Sequence, residues 1–186
     1  DFAGGAGPDF GPLGSGAGPN VTKGGLGGAY SDAELVRLIR HGVKRDGKSV
    51  MFMPSQDINW ISDADIQALI SYLHSIPPSP KTNPPVVVTA ALKVLDRQEV
   101  FIMDVARRID HSHIELAGPA EPTKEYGKVL ARLCTGCHGE TLGGGPFPYA
   151  PSNIPAPLNL TPDPTGLYGW QLADFEHTMR SGIRKN

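Results

Sequence analysis

The only two cysteines of the 186-residue chain, Cys134 and Cys137, stand three positions apart in the stretch RLCTGCHGETLGGG, and His138 follows at once. Two thiols and an imidazole in this order match c-type haem attachment. Each sulfur adds across a porphyrin vinyl group to form a thioether, and the adjacent imidazole reaches the iron from the proximal side. Competing chemistries fit less well. A zinc site needs about four ligands, and the remaining histidines are scattered along the chain. A thioredoxin-like redox pair needs a βαβ context and gains nothing from His138. A disulfide across two intervening residues closes a very tight ring and is poor for stapling a domain. Simple packing of two buried thiols is the plainest alternative.

The elements that must position this motif are short. Hydrophobic residues make up 39% of the chain, and its Gly 23 and Pro 18 are unevenly spread. Two small cores fit that composition better than one, with much loop between short helices, as in a fold organised around something other than its own side chains. The formal net charge of -2 carries no long like-charged block. It provides no basic field for nucleic acid. No run of eighteen apolar residues occurs, Val86–Leu95 being short and interrupted by Lys93, and no signal peptide opens the chain. The expectation is a soluble region.

Residues 1–28, dominated by Gly, Pro and small residues, are expected to be loop. Ser31 and Glu34 spell a capping box for a helix over about 32–41, with Leu35, Leu38 and Ile39 on one face and Gly42 as its stop. Ser62 caps a second helix that carries Ile66, Leu69, Ile70 and Leu73 on one face and ends before Pro77 and Pro78. The prolines that follow read as a stiff linker, and residues 86–118 mix strand and helix signals. Thr123 can cap a further helix bearing Tyr126, Val129, Leu130 and Leu133.

A long-period repeat underlies this order. DFEHTMRSGIRKN lies over ELVRLIRHGVKRD, pairing Asp174 with Glu34, Arg180 with Arg40 and Gly182 with Gly42, at an offset of 140 residues. NLTPDPTGLYGW near 159 matches NVTKGGLGGAY near 20, and LGGG at 142 matches FAGG at 2, at offsets of 139 and 140. Self-similarity at one long offset indicates two copies of a domain.

The stretches TKEYGKVLARLCTGCHGETLGGG, APLNLTPD and GWQLADFEHTMRSGI, with RHGVKRDGKSVMFMPSQDINWISDADIQALISYLHSIPP, resemble the class I cytochrome c domain. More closely the chain is similar to the tandem dihaem cytochromes that serve as electron-transfer subunits. The resemblance implies an all-α fold of two tandem cytochrome c class I domains, with short helices and haem-wrapping Gly/Pro loops. Residues 1–78 form the first domain, 79–122 a Pro-rich linker and interdomain segment, and 123–186 the second domain. It implies two haem c groups. Cys134, Cys137 and His138 hold the second, and Met53, in its Met-Pro pair with Pro54, is the distal ligand of the first, with Met51 the only local competitor. By the repeat, the first haem motif is expected at positions -6 to -2, and the methionine of the second haem about seven residues past Asn186.

Arg40 and Arg180 are expected near haem propionates, and Asn159 and Trp170 at the haem border. Met179 aligns with Ile39 on a packed helix face, and His111 and His113 are read as structural or exposed. The implied function is single-electron relay in the periplasm or another extracytoplasmic space. The partners would be redox proteins, among them membrane-bound respiratory, photosynthetic or dehydrogenase complexes. A catalytic dihaem cytochrome such as a peroxidase, with one open haem, is the alternative.

Overall fold

Asn20 and Thr22 turn the chain into a single helical turn, α1 (Leu26–Ala29), before Ser31 starts α2 (Asp32–His41). The expected capping box is present: Glu34 N donates to Ser31 Oγ at 3.4 Å, and Ser31 N donates to Glu34 Oε2 at 2.8 Å. Together these bonds satisfy two amides that the first helical turn leaves without partners. A left-handed Gly42 ends α2. The short α3 (Ser55–Ile58) follows, then α4 (Asp63–Ser75), whose cap Ser62 accepts from Asp65 N as its sequence expects. The computed structural model describes residues 2–51, 53–99, 103–114, 116, 118, 121–146 and 155–185, and the chain divides between Leu133 and Cys134 into two units.

In the first unit, α2 and α4 pack Leu35 and Ile39 against Ile66 and Ile70. A second cluster joins Leu38 and Val50 to Val105 and Ile109. Met53 packs against both clusters. The residues between 86 and 118 that carry mixed signals therefore contribute to this core, and they also form α5 (Ala90–Arg97), where Leu92 is fully buried. The buried Arg40 guanidinium ties α2 to the α3–α4 connection. It donates to the carbonyls of Asn59 at 2.6 Å and Ile61 at 2.9 Å, and it pairs with Asp63 at 2.8 Å.

The all-α expectation is corrected by a three-stranded antiparallel sheet in this unit. β1 (Gly5–Asp9) pairs with β2 (Gly14–Gly18) in the register Gly5–Gly18 and Ala6–Ala17, shifting before Asp9–Ser15. β2 in turn pairs with β3 (Val87–Val88). The expectation of loop over residues 1–28 is overturned with it. Strands are read from alternating side chains, and seven of the ten residues in β1 and β2 are glycine or alanine, which leaves little period-2 signal to read. The glycines instead permit backbones to approach. At Gly14, where φ is +125°, a Cβ would stand 2.0 Å from the Val87 carbonyl oxygen.

The Thr123-capped helix is α6 (Lys124–Leu130), and α7 (Arg132–His138) follows after a break at Ala131, where one longer helix was expected. The second unit continues through loops to α8 (Leu172–Ser181), capped by Gln171 and Asp174 and ended by left-handed Gly182. Among the described residues of this unit none is buried. Leu172, Phe175 and Met179 of α8 are 74%, 41% and 66% exposed, so Met179 does not take the packed place that its alignment with Ile39 suggests.

Two outcomes follow for the first unit. Ile66→Ala empties a site that is 1% exposed and should lower the urea-unfolding free energy by about 2–5 kcal/mol. Glu34 is held down to a pKa of about 2, first by hydrogen bonds from Arg45 and then by the Ser31 amide. Its folded value lies below its ordinary one, so its stabilisation is complete above about pH 4.5 and is lost as pH falls through about 2. Glu34→Gln should therefore flatten the acid-unfolding curve across that window, as followed by circular dichroism.

Candidate haem site

Helix α7 carries Cys134, Cys137 and His138 at spacings of three and four residues. These spacings put all three side chains on one face. Both thiols are free, Cys134 half-buried and Cys137 exposed. His138 is half-buried at the last helical position. Its Nδ1 lies 2.6 Å from the carbonyl oxygen of Leu158. A carbonyl can only accept, so Nδ1 carries the hydrogen and the Nε2 lone pair is left for a metal. This is the arrangement by which a second partner fixes the tautomer and orientation of a ligating imidazole.

Among the described residues no three His, Cys, Asp or Glu side chains gather as a metal-holding group. The two thiols and His138 are thus not gathered into a three-ligand group.

The Leu158 carbonyl is held in place by a crossing of the chain. Gly144 has φ of +70°, and a Cβ there would stand 2.4 Å from the Pro157 oxygen and 2.6 Å from the Leu158 oxygen. Gly145 N donates to Pro157 O at 2.9 Å, Leu160 N to Leu142 O at 2.8 Å, and Gly144 N back to His138 O at 2.9 Å. Asn159 borders this crossing. Its Oδ1 accepts from Thr161 N at 2.8 Å and from Thr161 Oγ1 at 2.7 Å.

The same construction occurs in the first unit at the offset of the repeat. Gly4 also has φ of +70°, with a Cβ position 2.2 Å from Gly18 O and 2.4 Å from Pro19 O. Val21 N donates to Phe2 O at 3.1 Å. Asn20 Oδ1 accepts from Thr22 N at 3.1 Å and from Thr22 Oγ1 at 2.7 Å. Phe2 and Leu142, both non-glycine residues, take φ of 55° and 58°. The Pro19 carbonyl is thereby the counterpart of the Leu158 carbonyl.

Pro19 and Asn20 line a cavity of about 610 Å³ in the first unit, walled by Leu26, Leu38, Met51 and Met53 and bordered by Lys44 and Lys81. Its volume lies within the roughly 300–1,000 Å³ of cofactor pockets. Its walls are mostly apolar, with the thioethers of Met51 and Met53 among them, and Lys81 Nζ donates to Gly4 O at 2.6 Å. Met53 and its competitor Met51 both face this space. Arg40 is not among its lining residues, being committed to the Asn59 and Ile61 carbonyls.

In the second unit, Trp170 is half-buried just ahead of α8, with its amide on Leu167 O at 3.0 Å, and Arg180 is exposed near the helix end. Sequence reasoning did not find Leu158, because a backbone acceptor has no residue signature. Lys44 and Lys81 escaped for a related reason, since nothing local distinguishes them from solvated lysines. Compared with protein-family models and with curated proteins, the sequence matches none of either.

Gly144→Ala drives a methyl group into the two carbonyls of the crossing and should release His138. The slowly exchanging Nδ1–H proton of His138 is expected in the imidazole region of the parent's NMR spectrum. Its loss in the variant checks the arrangement.

Proposed function

We propose that the chain holds c-type haem and works as a single-electron carrier. The observation that supports this most is the His138 Nδ1–Leu158 contact of 2.6 Å on the helix that carries both cysteines. Cys134 and Cys137 hold the group as thioethers, and His138 presents Nε2 to its iron. The exposed side chains of Leu158, Leu172 and Phe175 supply apolar surface that a macrocycle would cover. Bound there, haem provides a one-electron ferric/ferrous couple.

In the first unit the cavity is the proposed place of a second haem. Met53 offers its thioether there, and a thioether ligand favours the ferrous form. Pro19, which lines this cavity, carries the carbonyl that corresponds to Leu158 O in the repeat. Leu26 and Leu38 keep the wall apolar, and a dry wall stabilises the reduced iron relative to the more highly charged oxidised form. Lys44 borders the space that the haem carboxylates would occupy, whereas Lys81 Nζ donates to Gly4 O at 2.6 Å. Electron exchange with redox proteins, including membrane-bound complexes, and an extracytoplasmic location belong to the same proposal. A helix long and apolar enough to cross a membrane is absent among the described residues.

The test is production in a host that attaches c-type haem. Haem should stay with the polypeptide after denaturation, and the Cys134→Ala/Cys137→Ala pair should lose that covalent haem from the second unit. In protein loaded at the first unit, Met53→Ala should abolish the thioether-to-iron charge-transfer band there and lower the reduction potential, while Met51→Ala leaves both in place. Retention of no haem by the parent, or rapid stoichiometric binding of carbon monoxide to the ferrous second haem, would overturn the carrier reading.

A further inference from the structure

His41, the last residue of α2, places its Nδ1 3.1 Å from Nδ1 of His111, with the ring centroids 5.3 Å apart and the planes tilted by 38°. Seventy positions separate the two residues, so their meeting is a product of the fold. His111 is exposed and His41 half-buried, which leaves the pair open on one side to solvent.

We propose that His41 and His111 form a two-imidazole binding site for a borderline divalent cation of the zinc, nickel or copper class. For metal–nitrogen bonds of roughly 2.0–2.1 Å, two nitrogens stand about 2.9 Å apart at a right angle and about 3.3 Å apart at the tetrahedral angle. The spacing of 3.1 Å lies between these values. With the ring centroids 5.3 Å apart, the two Nδ1 atoms face each other nearly head-on, so both rings turn about their side-chain bonds for the lone pairs to meet one ion. Imidazole suits these cations and not the hard oxygen-seeking ones.

The contact holds one proton between two nitrogens. When that ring shifts its hydrogen from Nδ1 to Nε2, both Nδ1 lone pairs face the ion and no net proton is released. Burial, followed by the neighbouring His111 and Arg40, also pushes the His41 pKa down, so protons compete less for its nitrogen at neutral pH. Water fills the remaining coordination positions on the open side.

The site has a structural consequence. Val105 and Ile109 pack on Leu38 and Val50, and Leu38 and Val50 also line the cavity. An ion joining His41 to His111 staples the segment that backs the cavity onto α2. This inference is independent of haem.

Zn²⁺ is the probe, counted by equilibrium dialysis on the full chain so that any ion taken by Cys134 and Cys137 is common to every variant. His41→Ala and His111→Ala should each bind one equivalent fewer than the parent, and His113→Ala the same number as the parent. The imidazole nitrogen resonances of His41 and His111 should shift together over the same equivalent. If His41→Ala misfolds, the exposed His111→Ala decides. Equal counts in the parent and His111→Ala, or an equal loss in His113→Ala, would overturn the proposal.

Discussion

The carbonyl of Leu158 reaches His138 because the chain crosses itself at Gly144, where a side chain of any size would strike the opposing backbone. That crossing fixes the loop after α7, orients the imidazole and sets the turn at Asn159. A steric condition at one residue is thereby converted into the tautomer of another. Its recurrence at Gly4, Gly18 and Pro19 gives the first unit an equivalent carbonyl, on a residue that lines the cavity. The two units share this crossing, the Asn–Thr turn after it and the left-handed stop of the helix that follows.

They differ in how they are held together. The first unit buries Leu35, Ile39, Ile66 and Ile70 in one cluster and Leu38, Val50, Val105 and Ile109 in another. The second buries no described residue. On the proposed function, haem would meet packed walls in the first unit and would cover exposed apolar side chains of α8 in the second.

The legible parts of the sequence were those in which a local rule and the tertiary outcome agree. Ser31, Glu34 and Gly42 mark the ends of α2 by hydrogen-bonding chemistry that needs no knowledge of the rest. On α4 the expected face is met by Ile66 and Ile70, which are buried, whereas Leu69 is 38% exposed and Leu73 half-buried. The Gly/Ala hairpin was invisible because its stabilisation comes from backbone pairing and close approach, which leave no pattern of side chains. Arg40 is the instructive intermediate case. Its repeat partner Arg180 suggested a shared ligand role, yet burial directs its guanidinium to the carbonyls of Asn59 and Ile61. The Cys-x-x-Cys-His spacing was readable as chemistry, whereas the Leu158 oxygen that orients its histidine, and the His41–His111 meeting, depend on where distant segments come to lie.

Met53 belongs to both apolar clusters of the first unit as well as to its cavity wall. Conversion of its sulfur to the sulfoxide makes a polar, chiral group of an apolar one, at the junction where the two clusters meet. Such an oxygen would disturb both clusters and the cavity wall at once, since Met53 touches all three.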